Sequence, residues 1–504
     1  MGMRERLRDH IGLFGLAAAA IGLVIVRACL QSITIDEANT GLDFVANSWP
    51  AHWFPNSGNH VLNSALARLV TQIFGINELT LRTPAILGAI FYICSALCWC
   101  LLLTSRMLLQ LPLFICLVYN PMVLDYLVAA RGYSLATGLL FAALTLIAGV
   151  VLSAGERDVQ SNARWASFFL ALSFTANFSF AYVDAITMSV FFLWAAATLG
   201  RRRLGYARLA ECCFLPGIVT AFVLCGPTVW QFPKSQLYFG SQSLREMWSS
   251  IVSAAFDELN PDLLNPWLVV LLGKIQAELP ILGAVALLAL LISVEAKRWR
   301  SHPPNSDPLV TLMHLLVAIA VVTFLSHWLV FKAAHIPLPS GRTGLFLVLL
   351  WCLIFGAGLA VRFQSGGRDI VRSCAMVVLI ATAVYFVGCL RLSYFREWRF
   401  DADSKQLYWI VSDLRKRCGI TNFAIDWRYS SAIDFYRLAY ANQSLPKFPP
   451  EDSGNLPRGR SAYVIFYTGS EDFIKEQKLQ VLFHNWETAA TVAIRGCEAE
   501  APAR

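Results

Sequence analysis

Long apolar runs separated by polar joints dominate the chain. Their lengths predict membrane-crossing helices, because about 20 apolar residues span a bilayer as an α-helix. Such runs occupy residues 11–30, 84–103, 107–124, 133–152, 166–182 and 184–199. Others follow at 207–226, 279–294, 309–331, 343–361 and 373–391, giving about eleven transmembrane helices in all.

Two joints are long enough to hold structure. In the first, residues 31–83, Thr34 and Glu37 match a capping box, which predicts a helix running to about Ser48. A second helix follows at 59–74: Val61, Leu62, Ala65, Leu66, Leu69, Val70, Ile73 and Phe74 make an apolar face opposite His60, Asn63, Ser64, Arg68, Thr71 and Gln72. Such helices lie along the membrane surface or against the bundle. The second joint, 227–278, repeats the device with Leu244, Met247, Trp248, Ile251, Val252, Ala255 and Phe256, ended by Asn260-Pro261. Its apolar stretch at 263–272 is short for a span.

Past Arg391 the pattern becomes that of a soluble unit. Leu407, Ile410, Val411 and Leu414 form a helix face ended by Gly419, and 430–440 reads as a second helix. Strands are predicted at 422–427, 463–467, 480–483 and 491–494. The expected organisation is a membrane domain at 1–391 and a small α/β domain at 392–504.

Composition agrees: 57% of residues are hydrophobic and 15% charged, as in polytopic membrane proteins. The net charge of +8 gathers in joints on one side. With Arg4, Arg6 and Arg8 assigned to the cytoplasm, Arg106, Arg157, Arg164, Arg201, Arg202, Arg203, Arg208, Lys297, Arg298, Arg300, Arg362, Arg368 and Arg372 fall there too. An odd number of spans then sends the C-terminal domain outside. This rim accounts for the basic balance through topology and contact with anionic membrane lipids, so no nucleic-acid partner is expected. The first run is read as a membrane anchor, being long for a signal peptide and followed by a poor cleavage site. Most of the 13 cysteines fall in or beside spans; Cys418 and Cys497 lie in the exported segment and could pair in an oxidising compartment.

The candidate chemistry lies on the outer side. Asp36 and Glu37 follow the first span directly; the capping box gives Glu37 a structural job and does not need Asp36. His60 opens the surface helix, and Glu78 with Arg82 reads as an i, i+4 helix pair. Ala130-Arg131-Gly132-Tyr133-Ser134 puts a guanidinium where topology does not call for one, to pair with Asp125 or Asp36 or to bind an anion such as phosphate. Lys332, His335 and Arg342 are further outer cations, with Arg342 the better ligand after its two prolines. A carboxylate base beside phosphate-sized cation sites is suited to activating a hydroxyl and stabilising a departing lipid phosphate. Asp401-Ala402-Asp403 matches a D-x-D pattern but precedes a helix, where acids cap well. No metal-ligand spacing, P-loop or G-x-S-x-G occurs.

The acid pair, the segment from Asn59 to Pro84 and the later Ala130-Arg131-Gly132-Tyr133-Ser134 resemble the GT-C membrane glycosyltransferases, in the group of the protein O-mannosyltransferases and the lipid A aminoarabinose transferase. The likeness is densest from Thr34 to Leu152. It implies a GT-C bundle in the cytoplasmic membrane that transfers a sugar from a polyprenyl-phosphate donor to a lipid, glycan or protein acceptor at the outer face, with or without a divalent cation. Carried onto this chain, Asp36 is the general base and Arg131 a contact to the donor phosphate. Glu37, His60, Arg82, Tyr133 and Arg342 complete the expected substrate contacts. Valine follows His60 where relatives often have proline, which favours binding over catalysis for this residue. The rival is a multi-pass transporter or lipid-sugar flippase, which calls for ionisable groups near mid-bilayer and related halves.

Overall fold

The computed structural model describes residues 10–48, 53–153, 158–198, 205–300, 307–364, 369–452 and 455–496. Arg4, Arg6, Arg8, Arg157, Arg201, Arg202, Arg203, Arg368 and Cys497 lie outside them. Helix α1 (Ile11–Leu30) leads to α2 (Ile35–Asn39), continued by a π-turn at Thr40–Val45, and then to α3 (Val61–Phe74) and α4 (Glu78–Leu103). The bundle continues through α5 (Met107–Val118), α6 (Pro121–Val128), α7 (Tyr133–Leu152), α8 (Val159–Ala176), α9 (Ala181–Thr198) and α10 (Tyr206–Trp230). After α11 (Leu244–Ala255) and α12 (Pro266–Ile275) come α13 (Glu278–Arg300), α14 (Pro308–Ala334), α15 (Leu345–Gln364) and α16 (Ile370–Gly388).

Among the described residues nine helices are long and apolar enough to cross a membrane, or ten if the bent pair α5–α6 counts as one. That pair is broken by 55° because Pro121 cannot continue α5, while the Asn120 side chain caps α6 at the Met122 and Val123 N–H groups (3.0 and 3.3 Å). The span expected at 166–182 is instead α8, which starts earlier with Gln160, Ser161, Asn162 and Arg164 in its first turns and stops at Asn177. The span expected from Pro84 also begins sooner, because Asn77 and Thr80 cap each other and start α4 at Glu78.

Two basic residues of the predicted rim meet at one end of the bundle, where Arg106 and Arg372 both lie over the Phe363 ring, at 5.1 and 4.9 Å. Helices α4 and α7 cross closely at Gly88 and Gly138, where an added Cβ would run into the facing backbone.

At the other end sits the C-terminal unit. Helices α17 (Ser404–Cys418), α18 (Trp427–Ala439) and α19 (Glu471–Glu476) accompany strands β1 (Phe423–Ile425), β2 (Ala462–Phe466), β3 (Gln480–His484) and β4 (Ala490–Ile494). The sheet order is β1-β2-β4-β3, parallel between β1 and β2 and antiparallel elsewhere. Gly419, at φ 63°, ends α17 in the left-handed conformation. Cys418 is disulfide-bonded. The core of this unit is not separate: Leu407, Val411, Tyr429, Ile433 and Tyr436 join Ile33, Ala38, Val45, Ala67, Leu81 and Ala130 in one buried cluster. The first long joint is thereby packed between bundle and sheet.

Replacing Gly88 by valine forces α4 from α7 and should cost about 1–3 kcal/mol. The expected readout is a lower thermal midpoint of the detergent-purified chain; an unchanged midpoint contradicts the close crossing.

Candidate active site

The segment that follows α1 is pinned from beneath by one ion pair. Arg82, in the second turn of α4, donates from Nη2 to Glu37 Oε2 at 2.7 Å and from Nε to Oε1 at 2.8 Å. Its remaining donors reach the carbonyls of Ala28 (3.0 Å), Gln31 (2.7 Å) and Ser32 (2.8 Å), where α1 ends. Glu37 also accepts from the Ala130 N–H at 2.8 Å and closes the capping box with Thr34. Both side chains are 0% exposed. Burial pushes the Glu37 carboxyl upward, but Arg82 and the two backbone N–H groups outweigh it and hold the group below its ordinary value. Glu37 and Arg82, expected among the substrate contacts, are therefore placed behind the site as its foundation. The expected Glu78–Arg82 pair is also replaced: Glu78 meets Lys405 at 2.8 Å.

One residue earlier on the same short helix, Asp36 points the other way. Its Oδ2 lies 2.9 Å from Arg342 Nη1 and 3.7 Å from Arg131 Nε, with its side chain about a quarter exposed (24%). Burial is the largest influence on its carboxyl and acts upward, yet the Arg131 and Arg342 charges and hydrogen bonds from Arg342 and the Trp398 indole hold it below the usual range. Arg131 is fixed by Nη1 bonds to Thr40 Oγ1 and the Gly58 carbonyl, both 3.1 Å. Its buried Nε–H makes no hydrogen bond. Gly132, at φ 71°, turns the chain from Arg131 into α7, and a Cβ there would collide with the Ala176 carbonyl.

Arg342 enters from the turn Gly341–Gly344, closed by a capping box between Ser340 and Thr343. Its guanidinium lies under the Phe239 ring, with Cζ 4.7 Å from the centroid. Backbone bonds between Ser241 and Leu338 (2.8 and 2.9 Å) tie the second long joint to this turn. The same Nη1 that meets Asp36 also donates to Glu397 Oε1 at 2.7 Å.

Glu397, absent from the sequence reading, thus adds a second carboxylate to the site, and it accepts a hydrogen bond from Tyr126 as well. A lone glutamate in a joint carries no local motif; only the path of residues 391–399 back over the bundle brings it here. His60 and Tyr133 complete the wall, their rings 5.8 Å apart, with Tyr126 4.9 Å beyond Tyr133. Both ring nitrogens of His60 are buried without a hydrogen-bond partner. Burial first, then the charges of Arg131 and Arg342, hold its imidazole well below its ordinary value, so it is neutral at pH 7.

Other sequence candidates go elsewhere. Asp125 pairs with Arg27 at 2.5 Å rather than with Arg131. Lys332 and His335 stay exposed at the end of α14. Asp401 accepts from the Ile35 N–H at 2.8 Å, and Asp403 from Asn485 and Thr488. No group of three or more His, Cys, Asp or Glu among the described residues could hold a metal ion.

Beside the site an apolar cavity of about 1200 Å³ runs between α11, α13, α15 and α16, lined by Trp248, Phe256, Trp351, Phe355 and Phe386. Tyr394 and Arg396 line its polar end, and the next residues, Glu397 and Trp398, face Arg342 and Asp36. Cavity and carboxylate pocket thus share one stretch of backbone.

No family model matches the sequence, and no curated protein matches it. Among solved structures the chain is similar to ArnT from Cupriavidus metallidurans bound to undecaprenyl phosphate, at 12% identity, covering 98% of this chain and 99% of that one with a TM-score of 0.50. The fold is of the ArnT type. The apo state of that protein also matches, at 13% identity over 96% of this chain and 98% of that one, with a TM-score of 0.41. At these identities the likeness is one of fold, a polytopic helical bundle carrying a small C-terminal sheet.

Glu37→Gln leaves Arg82 as a buried unpaired cation, at an expected cost of about 3–5 kcal/mol. Because the folded carboxyl lies below its unfolded value, its stabilisation is fully present above the ordinary carboxylate value and is lost as pH falls through the lower folded value. Acid titration of the wild type should therefore show a loss of stability that Glu37→Gln does not. Identical acid limbs contradict the pinning role.

Proposed function

We propose that this protein transfers a sugar from a polyprenyl-phosphate donor to an acceptor hydroxyl at the outer face of the cytoplasmic membrane. The observation that carries this reading is the Asp36 carboxylate held between the guanidiniums of Arg131 and Arg342, at the end of the bundle away from the described basic rim. The ArnT structure with undecaprenyl phosphate supports the choice of donor through its shared fold. Orientation supports the outer face: the basic rim marks the cytoplasmic side, which leaves Asp36 and the C-terminal domain at 392–504 outside.

In the reaction, the acceptor oxygen attacks the anomeric carbon as its proton passes to Asp36. The bond from that carbon to the phosphate oxygen breaks, and its electron pair leaves with the polyprenyl phosphate. Arg131 and Arg342 meet the charge gathering there. Donor binding also tunes the base: once the phosphate engages the arginines, Asp36 loses the cations that hold its affinity for protons low. Neutral His60, with two unpartnered nitrogens, offers a hydrogen bond to the sugar, and Tyr133 shapes the wall beside it. The apolar cavity takes the polyprenyl chain. Glu397 holds Arg342 in register until the phosphate arrives.

Purified Asp36→Asn should lose transfer by about 10²–10⁴-fold while still binding polyprenyl phosphate. Arg131→Gln and Arg342→Gln should weaken donor binding as well as turnover. Assays with a radiolabelled polyprenyl-phosphate sugar check both; full activity of Asp36→Asn overturns the assignment of the base.

A further inference from the structure

The α-helical segment that carries Asp36 has only five residues, Ile35–Asn39, before the π-turn at Thr40–Val45, and is too short to hold its own direction. The N–H groups that lead into it are met one by one by side chains. Ile33 N–H donates to Tyr436 Oη at 2.9 Å, Thr34 N–H to Glu37 Oε2 at 3.0 Å, and Ile35 N–H to Asp401 Oδ2 at 2.8 Å. Two of these three acceptors come from beyond residue 391. Further contacts follow the same path: Ser32 Oγ donates to the Ala402 carbonyl at 2.6 Å, and a Cβ on Gly41 would lie 3.1 Å from the Phe435 ring. Tyr436 and Asp401 are both buried, and Asp401 also accepts from Ser404 Oγ at 3.3 Å.

We propose that the C-terminal unit is the seat of the Asp36 helix, with Asp401 and Tyr436 as positioning residues that aim the carboxylate through the N–H groups of Ile35 and Ile33. This inference rests on the reading of Asp36 as the base. Asp401-Ala402-Asp403 then owes its acids to architecture: the first orients the Asp36 helix, and the second ties α17 to the turn before β4 through Asn485 and Thr488. The C-terminal unit acts on the reaction without touching the substrate, since small displacements of a reacting group cost rate steeply.

The test compares full-length wild type with Tyr436→Phe, Asp401→Ala and Asp401→Asn in detergent. Tyr436→Phe removes the hydroxyl that accepts from Ile33 N–H and also bonds Glu78, and Asp401→Asn keeps an oxygen for the Ile35 N–H. Hydrogen exchange of the amides at 33–39 should quicken roughly tenfold or more in Tyr436→Phe and Asp401→Ala, with the membrane helices unchanged. Asp401→Asn should stay near wild type. Turnover should fall roughly ten- to a hundredfold in the first two variants while the Kd for polyprenyl phosphate stays within about twofold. Unchanged exchange at 33–39, a matching loss of phosphate affinity, or an Asn variant no better than Ala would overturn the proposal. Exchange is read without substrate, so a wild type devoid of transfer activity counts against the proposed function and leaves exchange to judge this inference.

Discussion

The buried ion pair between Glu37 and Arg82 is the constraint on which the site depends. Two charges taken wholly out of water are costly, and they persist here because their donors and acceptors are met by one another and by the backbone. Those partners are not scattered. They are the carbonyls that end α1 and the amide of Ala130, so a single pair locks the first joint to the residue preceding Arg131. Adjacent side chains on a short helix point in different directions, and with Glu37 directed inward Asp36 is left facing the cavity side.

From that placement follows a small economy of charge. Asp36 and Glu397 share one nitrogen of Arg342, and Arg131 stands on the other flank of Asp36. These pairs are less deeply buried than the foundation beneath them, with Asp36 about a quarter exposed, and they are the contacts that a phosphate would replace in the proposed reaction. The same logic separates the two carboxylates of the acid pair: one is wholly enclosed and bonded on all sides, the other meets solvent and two cations.

Much of this was legible in the sequence where the signal is local. Apolar runs of bilayer length located most of the spans, the Thr34 and Glu37 spacing announced the cap, and Arg131 stood out as an arginine away from the predicted basic rim. What escaped depends on contacts between distant segments. Arg82 has Glu78 one turn away, and only the fold shows that its partner is Glu37, with Glu78 turned to Lys405. Glu397 lies in a joint without periodicity, and its role appears when residues 391–399 are traced from the cavity to Arg342. The composition change past Arg391 precedes the sheet-bearing unit, but the core of that unit is shared with Ile33, Ala38 and Val45 of the first joint, which no composition could reveal.

The most direct test of the account is a structure of the wild-type chain with polyprenyl phosphate bound. The expected structure has the phosphate within hydrogen-bond distance of both Arg131 and Arg342, the chain in the apolar cavity, and Asp36 released from Arg342 and turned toward the place of the sugar. A phosphate held instead by Arg391, Arg396 and Arg399, which also line the cavity, with the Asp36–Arg342 pair intact, would contradict it.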